Sequence, residues 1–139
     1  MNDDAVRDAV RRDVRHGEQA LAAALALRDL GMRNDALSRA YYAAFHLAAA
    51  LLATEGVEPR RHRAVPGLLL SHLGHAGFDA ADAARLGRLA TYRDMADYER
   101  AFDATDEVVD EALRDARSFV EKALGHLRQR GMVDPDSPA

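Results

Sequence analysis

An all-α fold, an antiparallel up-and-down bundle of four to five helices, follows from three observations. Apolar residues recur at helical spacing along most of the chain. No segment alternates with period two for long enough to make a strand. Glycine, proline and capping residues cut the helical stretches into long pieces with short connections, as antiparallel bundles require. The 139 residues are enough for one domain with its own core, and no internal repeat or second domain interrupts the pattern. The expected domain covers 1–131. A flexible tail follows over 132–139, where Asp134-Pro135-Asp136-Ser137-Pro138 offers little to bury.

The first helix runs from near Asp4 to Leu30, with Val6, Val10, Val14, Gly17, Leu21, Ala24 and Leu27 on its inner face. Gly31 ends it, and Asn34 or Asp35 caps the second helix. That helix continues to Thr54 or Glu55, where Gly56-Val57-Glu58-Pro59 stops it. Its core stripe is Leu37, Tyr41, Ala44, Ala48, Leu51 and Leu52. Leu68, Leu69, Leu70 and Leu73 suggest a short buried helix started near Pro66. Asp79 caps a fourth helix whose inward line is Leu86, Leu89, Ala90, Arg93 and Ala96 or Asp97. Thr105 opens the last, whose stripe runs regularly from Val108 through Ala112, Ala116, Phe119 and Ala123 to Leu127 before Gly131.

Composition excludes several classes. Without cysteine there is no thiol nucleophile, no disulfide framework and no cysteine-ligated metal. Met1-Asn2-Asp3-Asp4 is acidic and unlike a signal sequence, and Ala40–Ala53 falls short of the roughly 20 residues of a membrane span, so a soluble, cytoplasmic protein is expected. A net charge of -4 argues against a wholesale nucleic-acid coat. Any RNA contact must be local, and Arg60-Arg61-His62-Arg63 is the evident patch.

Ser38-Arg39-Ala40-Tyr41-Tyr42-Ala43-Ala44-Phe45-His46 is the most informative stretch. At about 100° per residue, Arg39 and His46 lie nearly above one another with Tyr42 beside them. The small residues Ala43, Ala49, Ala50 and Ala53 fill the flanks, so the helix is apolar nearly all round and expects cover on a second side. A partner subunit could supply that cover.

Together with His62 and Tyr92-Arg93-Asp94-Met95-Ala96-Asp97-Tyr98, this stretch resembles the HEPN superfamily, in its small single-domain prokaryotic branch. The resemblance implies a helical bundle that dimerises face to face. It also implies pairing with a minimal nucleotidyltransferase (MNT) antitoxin in a toxin–antitoxin module, and metal-independent endoribonuclease activity. The implied catalytic motif is an arginine, four to six residues, then a histidine. Arg39 and His46 meet that spacing with six residues between them. Arg93-Asp94 matches the arginine and polar neighbour of the motif's usual place in a later helix, but Asp97 and Tyr98 stand where histidine is expected. Arg39, His46 and Arg93 are therefore the catalytic candidates, Tyr42 and Asp97 their supports, and Arg60, Arg61 and Arg63 the RNA contacts. Related toxins carry a tyrosine just beyond the motif that the partner adenylylates, and Tyr98 occupies the comparable position.

RNA cleavage needs a group to deprotonate the ribose 2′-hydroxyl and positive charge on the phosphate. Histidine titrates near neutrality and arginine grips phosphate as a fork, so the residue types suit the task. No cofactor is expected, with stimulation by a divalent metal left open. His62, His72 and His75 have no carboxylate at ligand spacing on a clear helix, so no metal site is assigned. The competing reading is a non-catalytic nucleotide-binding or scaffold partner of the nucleotidyltransferase. In it, Arg93 and Asp97 form a structural ion pair at i, i+4 and His46 is a hydrogen-bonded core residue.

Overall fold

Asn2 begins the first helix by accepting a hydrogen bond from the Ala5 amide at 2.8 Å, and Asp3 and Asp4 place negative charge on the exposed N–H groups of the first turn. The computed structural model describes residues 2–135. It consists of α1 (Asp3–Asp29), α2 (Arg33–Ala53), α3 (Val65–Leu73), α4 (Ala80–Tyr98) and α5 (Asp106–Gln129), with single 3₁₀ turns at His62–Ala64 and Gly74–Ala76. No strand occurs among the described residues, and the fold is the all-α helical bundle the periodicity predicts. Among the described residues no helix is long and apolar enough to cross a membrane.

The centre of the bundle is α2, which packs on α1, α3, α4 and α5. Its stripe Leu37, Tyr41, Ala44, Ala48, Leu51 and Leu52 is buried as expected. So are Ala43 and Ala50, at 0% exposure each, which removes these two from any surface a partner subunit could cover, whereas Ala49 and Ala53 are half-buried. The cover of Ala43 and Ala50 comes from within the chain. Gly31, at φ 76°, turns the chain back between α1 and α2. Gly17 of α1 then meets α2 so closely that an added Cβ would lie 2.2 Å from Leu47 Cδ2 and 3.1 Å from the Ala43 carbonyl oxygen.

Neither Asn34 nor Asp35 caps α2. The cap position is Met32, which makes no side-chain cap hydrogen bond. Asn34 works across the fold instead: its Nδ2 donates to the Phe102 carbonyl at 2.9 Å, and its Oδ1 accepts from the Ala104 amide at 3.0 Å. A side chain that can satisfy two backbone groups of a distant loop gains more there than at a local cap.

α3 carries Pro66 in its first turn and buries Leu69 and Leu73, while Leu70 is exposed. α4 starts with a capping box in which Asp79 and Asp82 each accept from the other's backbone amide. The Asp82 carboxylate is buried, and Lys122 and Arg85 reach in to neutralise it. Lys122 also donates to the Gly77 carbonyl at 2.8 Å, which ties α5 to the entry of α4. Thr105 caps α5 through the Val108 amide, and the predicted α5 stripe is buried from Val109 to Leu127, with Val108 half-buried. Each large side chain in that stripe is worth roughly 1.5–3 kcal/mol of burial. After Gly131 the chain folds back, and Met132 and Val133, read from sequence as the start of a tail, are buried. Asp134 and Pro135 of that expected tail are exposed, and 136–139 lie outside the described residues.

Asn34 thus ties the α4–α5 connection to α2 through two hydrogen bonds. Asn34→Ala should leave the buried Ala104 amide without a partner and cost about 2 kcal/mol. A lower urea midpoint, with faster hydrogen exchange at Ala104 than at the α5 core amides, is the expected result.

Candidate functional site

Tyr42 stands where α2 faces α4, and two cations converge on it. The Arg39 guanidinium lies 4.7 Å above its ring, and Arg93 of α4 donates to its hydroxyl at 3.3 Å. Arg93 is enclosed by tyrosines: its guanidinium carbon lies 5.1 Å from the Tyr41 ring and 5.7 Å from those of Tyr42 and Tyr98. Two carboxylates share it, Asp94 at 3.4 Å and Asp97 at 3.9 Å. Asp97 is held in turn by a hydrogen bond from the Ser38 hydroxyl, so α2 fixes both Arg93 and its counter-ion.

Two imidazoles flank the same tyrosine. His46 is one helical turn further along α2, its ring centre 6.3 Å from that of Tyr42. His62 arrives on the 3₁₀ turn before α3, 6.1 Å from the Tyr42 ring. It stacks on Phe45 at 4.3 Å with the planes 7° apart, and its Nδ1 shares a 2.7 Å hydrogen bond with the Tyr41 hydroxyl. Burial pushes the Tyr41 phenol up to about 12, against the opposing pull of Arg93, so Tyr41 keeps its proton. Burial also lowers the His62 pKa, and the nearby Arg93 charge lowers it further. His62 is therefore neutral at neutral pH, when a histidine can accept a proton.

Of the residues singled out from sequence, Arg39, Tyr42 and Arg93 are in direct contact, with Asp97 and Tyr98 on the far side of Arg93. Tyr98 is 71% exposed, so its hydroxyl reaches solvent rather than the core. Arg60, Arg61 and Arg63 are exposed around His62. Arg63 borders a cavity of about 340 Å³ that Tyr41, Phe45, His62, Thr91 and Asp94 also line. Arg39 and His46 instead share a shallow pocket with His16 and Gln19 of α1.

Other members of the cluster had no role assigned from sequence. Tyr41, read as core, is buried and also positions His62. Ser38 stood beside Arg39 without a task until α4 brought Asp97 to it. Asp13 and His16, at i and i+3 on the polar side of α1, meet His46: Asp13 Oδ1 is 3.8 Å from His46 Nδ1, and the His16 and His46 rings are 5.4 Å apart. The i, i+3 spacing was the available signal, but only the α1–α2 register gives it meaning.

The family model of the HEPN domain matches residues 10–127, a span that holds every site residue named above. A UPF0332 protein of Pyrococcus horikoshii is 37% identical over 73 residues, 52% of this chain and 51% of that protein, so the match spans about half that relative's length. A UPF0332 protein of Archaeoglobus fulgidus is 28% identical over 116 residues, covering 84% of this chain and 93% of its own. A protein of Methanocaldococcus jannaschii, named as a candidate toxin, is 28% identical over 125 residues, 89% of this chain and 92% of its own.

The environment of His62 has a measurable consequence. Its depressed pKa means that the unfolded chain takes up a proton first as pH falls below 6.5, the ordinary histidine value. The stability this group contributes is complete above that pH and is lost as pH drops towards the folded-state value. An NMR titration should place His62 below an ordinary histidine, and Arg93→Gln should raise it by removing the charge while leaving the burial. A His62 pKa that ignores Arg93→Gln would contradict an influence of the Arg93 charge on that ring.

Proposed function

The chain belongs to the HEPN family, and from that premise we propose that it is a toxin-type HEPN endoribonuclease that cuts RNA in the cleft around Tyr42. The observation that carries this reading is the convergence on one tyrosine of two arginines, Arg39 and Arg93, and two histidines, His46 and His62. That is the inventory of metal-independent RNA cleavage: cations for the phosphate, one base and one acid.

In the proposed reaction His62 donates its Nδ1–H in the hydrogen bond to the Tyr41 oxygen and offers Nε2 to the 2′-hydroxyl. The 2′-oxygen attacks phosphorus, and Arg39 and Arg93 balance the charge that builds on the non-bridging oxygens. The bond from phosphorus to the 5′-oxygen breaks, and His46 supplies the leaving oxygen's proton. The products are a 2′,3′-cyclic phosphate and a 5′-hydroxyl. Arg60, Arg61 and Arg63 extend the phosphate track, and a homodimer would set two such clefts side by side. The setting is the cytoplasm, with a minimal nucleotidyltransferase as antitoxin. Adenylate placed on exposed Tyr98 would put bulk and negative charge against Arg93 and close the cleft to RNA.

One observation favours a second reading. Asp94 and Asp97 already share the Arg93 charge, which suits a non-catalytic nucleotide-binding or scaffold partner of the nucleotidyltransferase.

The two are separable by experiment. Purified protein should cut single-stranded RNA in the presence of EDTA and leave cyclic phosphate ends. Arg93→Ala should lower the rate by about 10²–10³-fold and His62→Ala by about 10²–10⁴-fold. Expression without the partner should arrest growth, and the same substitutions should relieve it. Intact RNA from protein with a native circular dichroism spectrum would end the nuclease reading, and nucleotide binding that persists under those conditions would favour the second.

A further inference from the structure

We infer that Asp13, His16 and His46 form a binding site for a single divalent transition metal ion of the zinc class, at the α1–α2 face of the cleft. One oxygen and two imidazole nitrogens, one from each residue, lie within 4.8 Å of one another. Nothing else among the described residues satisfies the group. His46 Nδ1 is a buried atom without a hydrogen-bond partner, and Asp13 Oδ1, at 3.8 Å, is too far to provide one. Two ligands bound to one tetrahedral zinc ion at about 2.0–2.2 Å each lie roughly 3.3–3.6 Å apart, close to that separation. A metal between the pair therefore resolves what a direct hydrogen bond does not.

The donor set decides the class of ion. Two imidazoles and one carboxylate suit zinc and its transition-metal neighbours, whereas magnesium and calcium take oxygen ligands. Three protein ligands leave a fourth position free, as in open zinc sites. His16 and His46 also line the shallow pocket bordered by Arg39 and Gln19, which gives a fourth ligand room to bind. Arg39 would meet an anionic fourth ligand, such as a phosphate oxygen. His16 is exposed at the rim, while Asp13 and His46 are half-buried, so an ion can enter from solvent without the bundle opening.

The site stands on its own geometry. Its consequence for RNA cleavage rests on the reading of His46 as the acid: an ion held by His46 Nδ1 keeps the ring from carrying the second proton an acid needs, so zinc would silence the enzyme rather than assist it.

The test uses tag-free protein, stripped with chelator and titrated calorimetrically with zinc chloride. One ion per chain is expected, with a rise in Tm on binding. His16→Gln, an exposed change that should leave the core intact, is expected to weaken binding by more than about 100-fold, beyond the 10–100-fold typical of outer-shell changes. Asp13→Asn should also weaken it, and His75→Gln, outside the cluster, should not. Cobalt substitution should give the strong visible bands of a four-coordinate ion. Absent binding, or binding that survives both His16→Gln and Asp13→Asn, overturns the site. Zinc should also suppress RNA cleavage in the natural sequence and leave residual cleavage by His16→Gln unaffected. A protein that binds zinc as expected but cuts no RNA even when stripped would defeat the nuclease reading and leave the metal site standing.

Discussion

The approach of α1 to α2 at Gly17 governs the rest of the architecture. Only a residue without a side chain lets the backbone of α1 come within reach of Leu47 and the Ala43 carbonyl. Two results depend on it. α2 gains cover on the flank where its alanines would otherwise face water, so one helix can be the core of the whole bundle. The register also sets Asp13 and His16 opposite His46, and leaves Arg39 at the edge of the same face. Shift α1 outward by the width of a methyl group and both the packing of α2 and the polar cluster beside it loosen together.

The site combines groups of very different cost. Arg93 is mostly buried, and a buried guanidinium is tolerable only with partners. It has three aromatic faces, the Tyr42 hydroxyl and two carboxylates. Ser38 completes the set by giving Asp97 a second anchor beside Arg93. Arg39, by contrast, rests on Tyr42 from a half-buried position and keeps more of its hydrogen-bonding capacity free. The same tyrosine therefore carries a constrained cation on one side and an available one on the other.

Much of this was legible in the residues. A stripe such as Val109–Leu127 repeats with the helical period, and Asp79 and Thr105 are helix starts whose chemistry is local, so both could be read directly. Arg39, Tyr42 and His46 could be grouped because they share one helix. Asn34 misled because its two bonds run to residues 68 and 70 positions away, where local capping preference has no information. The small residues of α2 were only partly legible for a related reason: periodicity shows that a face must be covered, not whether the cover belongs to the same chain. His62 and the Asp13–His16 pair needed the angle between elements, which spacing along the chain does not contain.

The two ends of α4 are fastened unequally. Its start is anchored by a buried carboxylate that Lys122 and Arg85 neutralise, with the Gly77 carbonyl drawn into the same knot. Its end, where Arg93, Asp97 and Tyr98 lie, is tied to α2 by the hydroxyl of Ser38 and the long Arg93 contacts, and the segment beyond it by Asn34. Such an element behaves as a lever with a firm pivot and a light catch. Releasing the catch would let the last two turns swing away from α2 while the pivot and the core stay packed. The aperture above Tyr42 would then change through motion of one helix end, with no domain rearrangement, at the cost of a few hydrogen bonds and the packing of Tyr92 and Ala96 on the core.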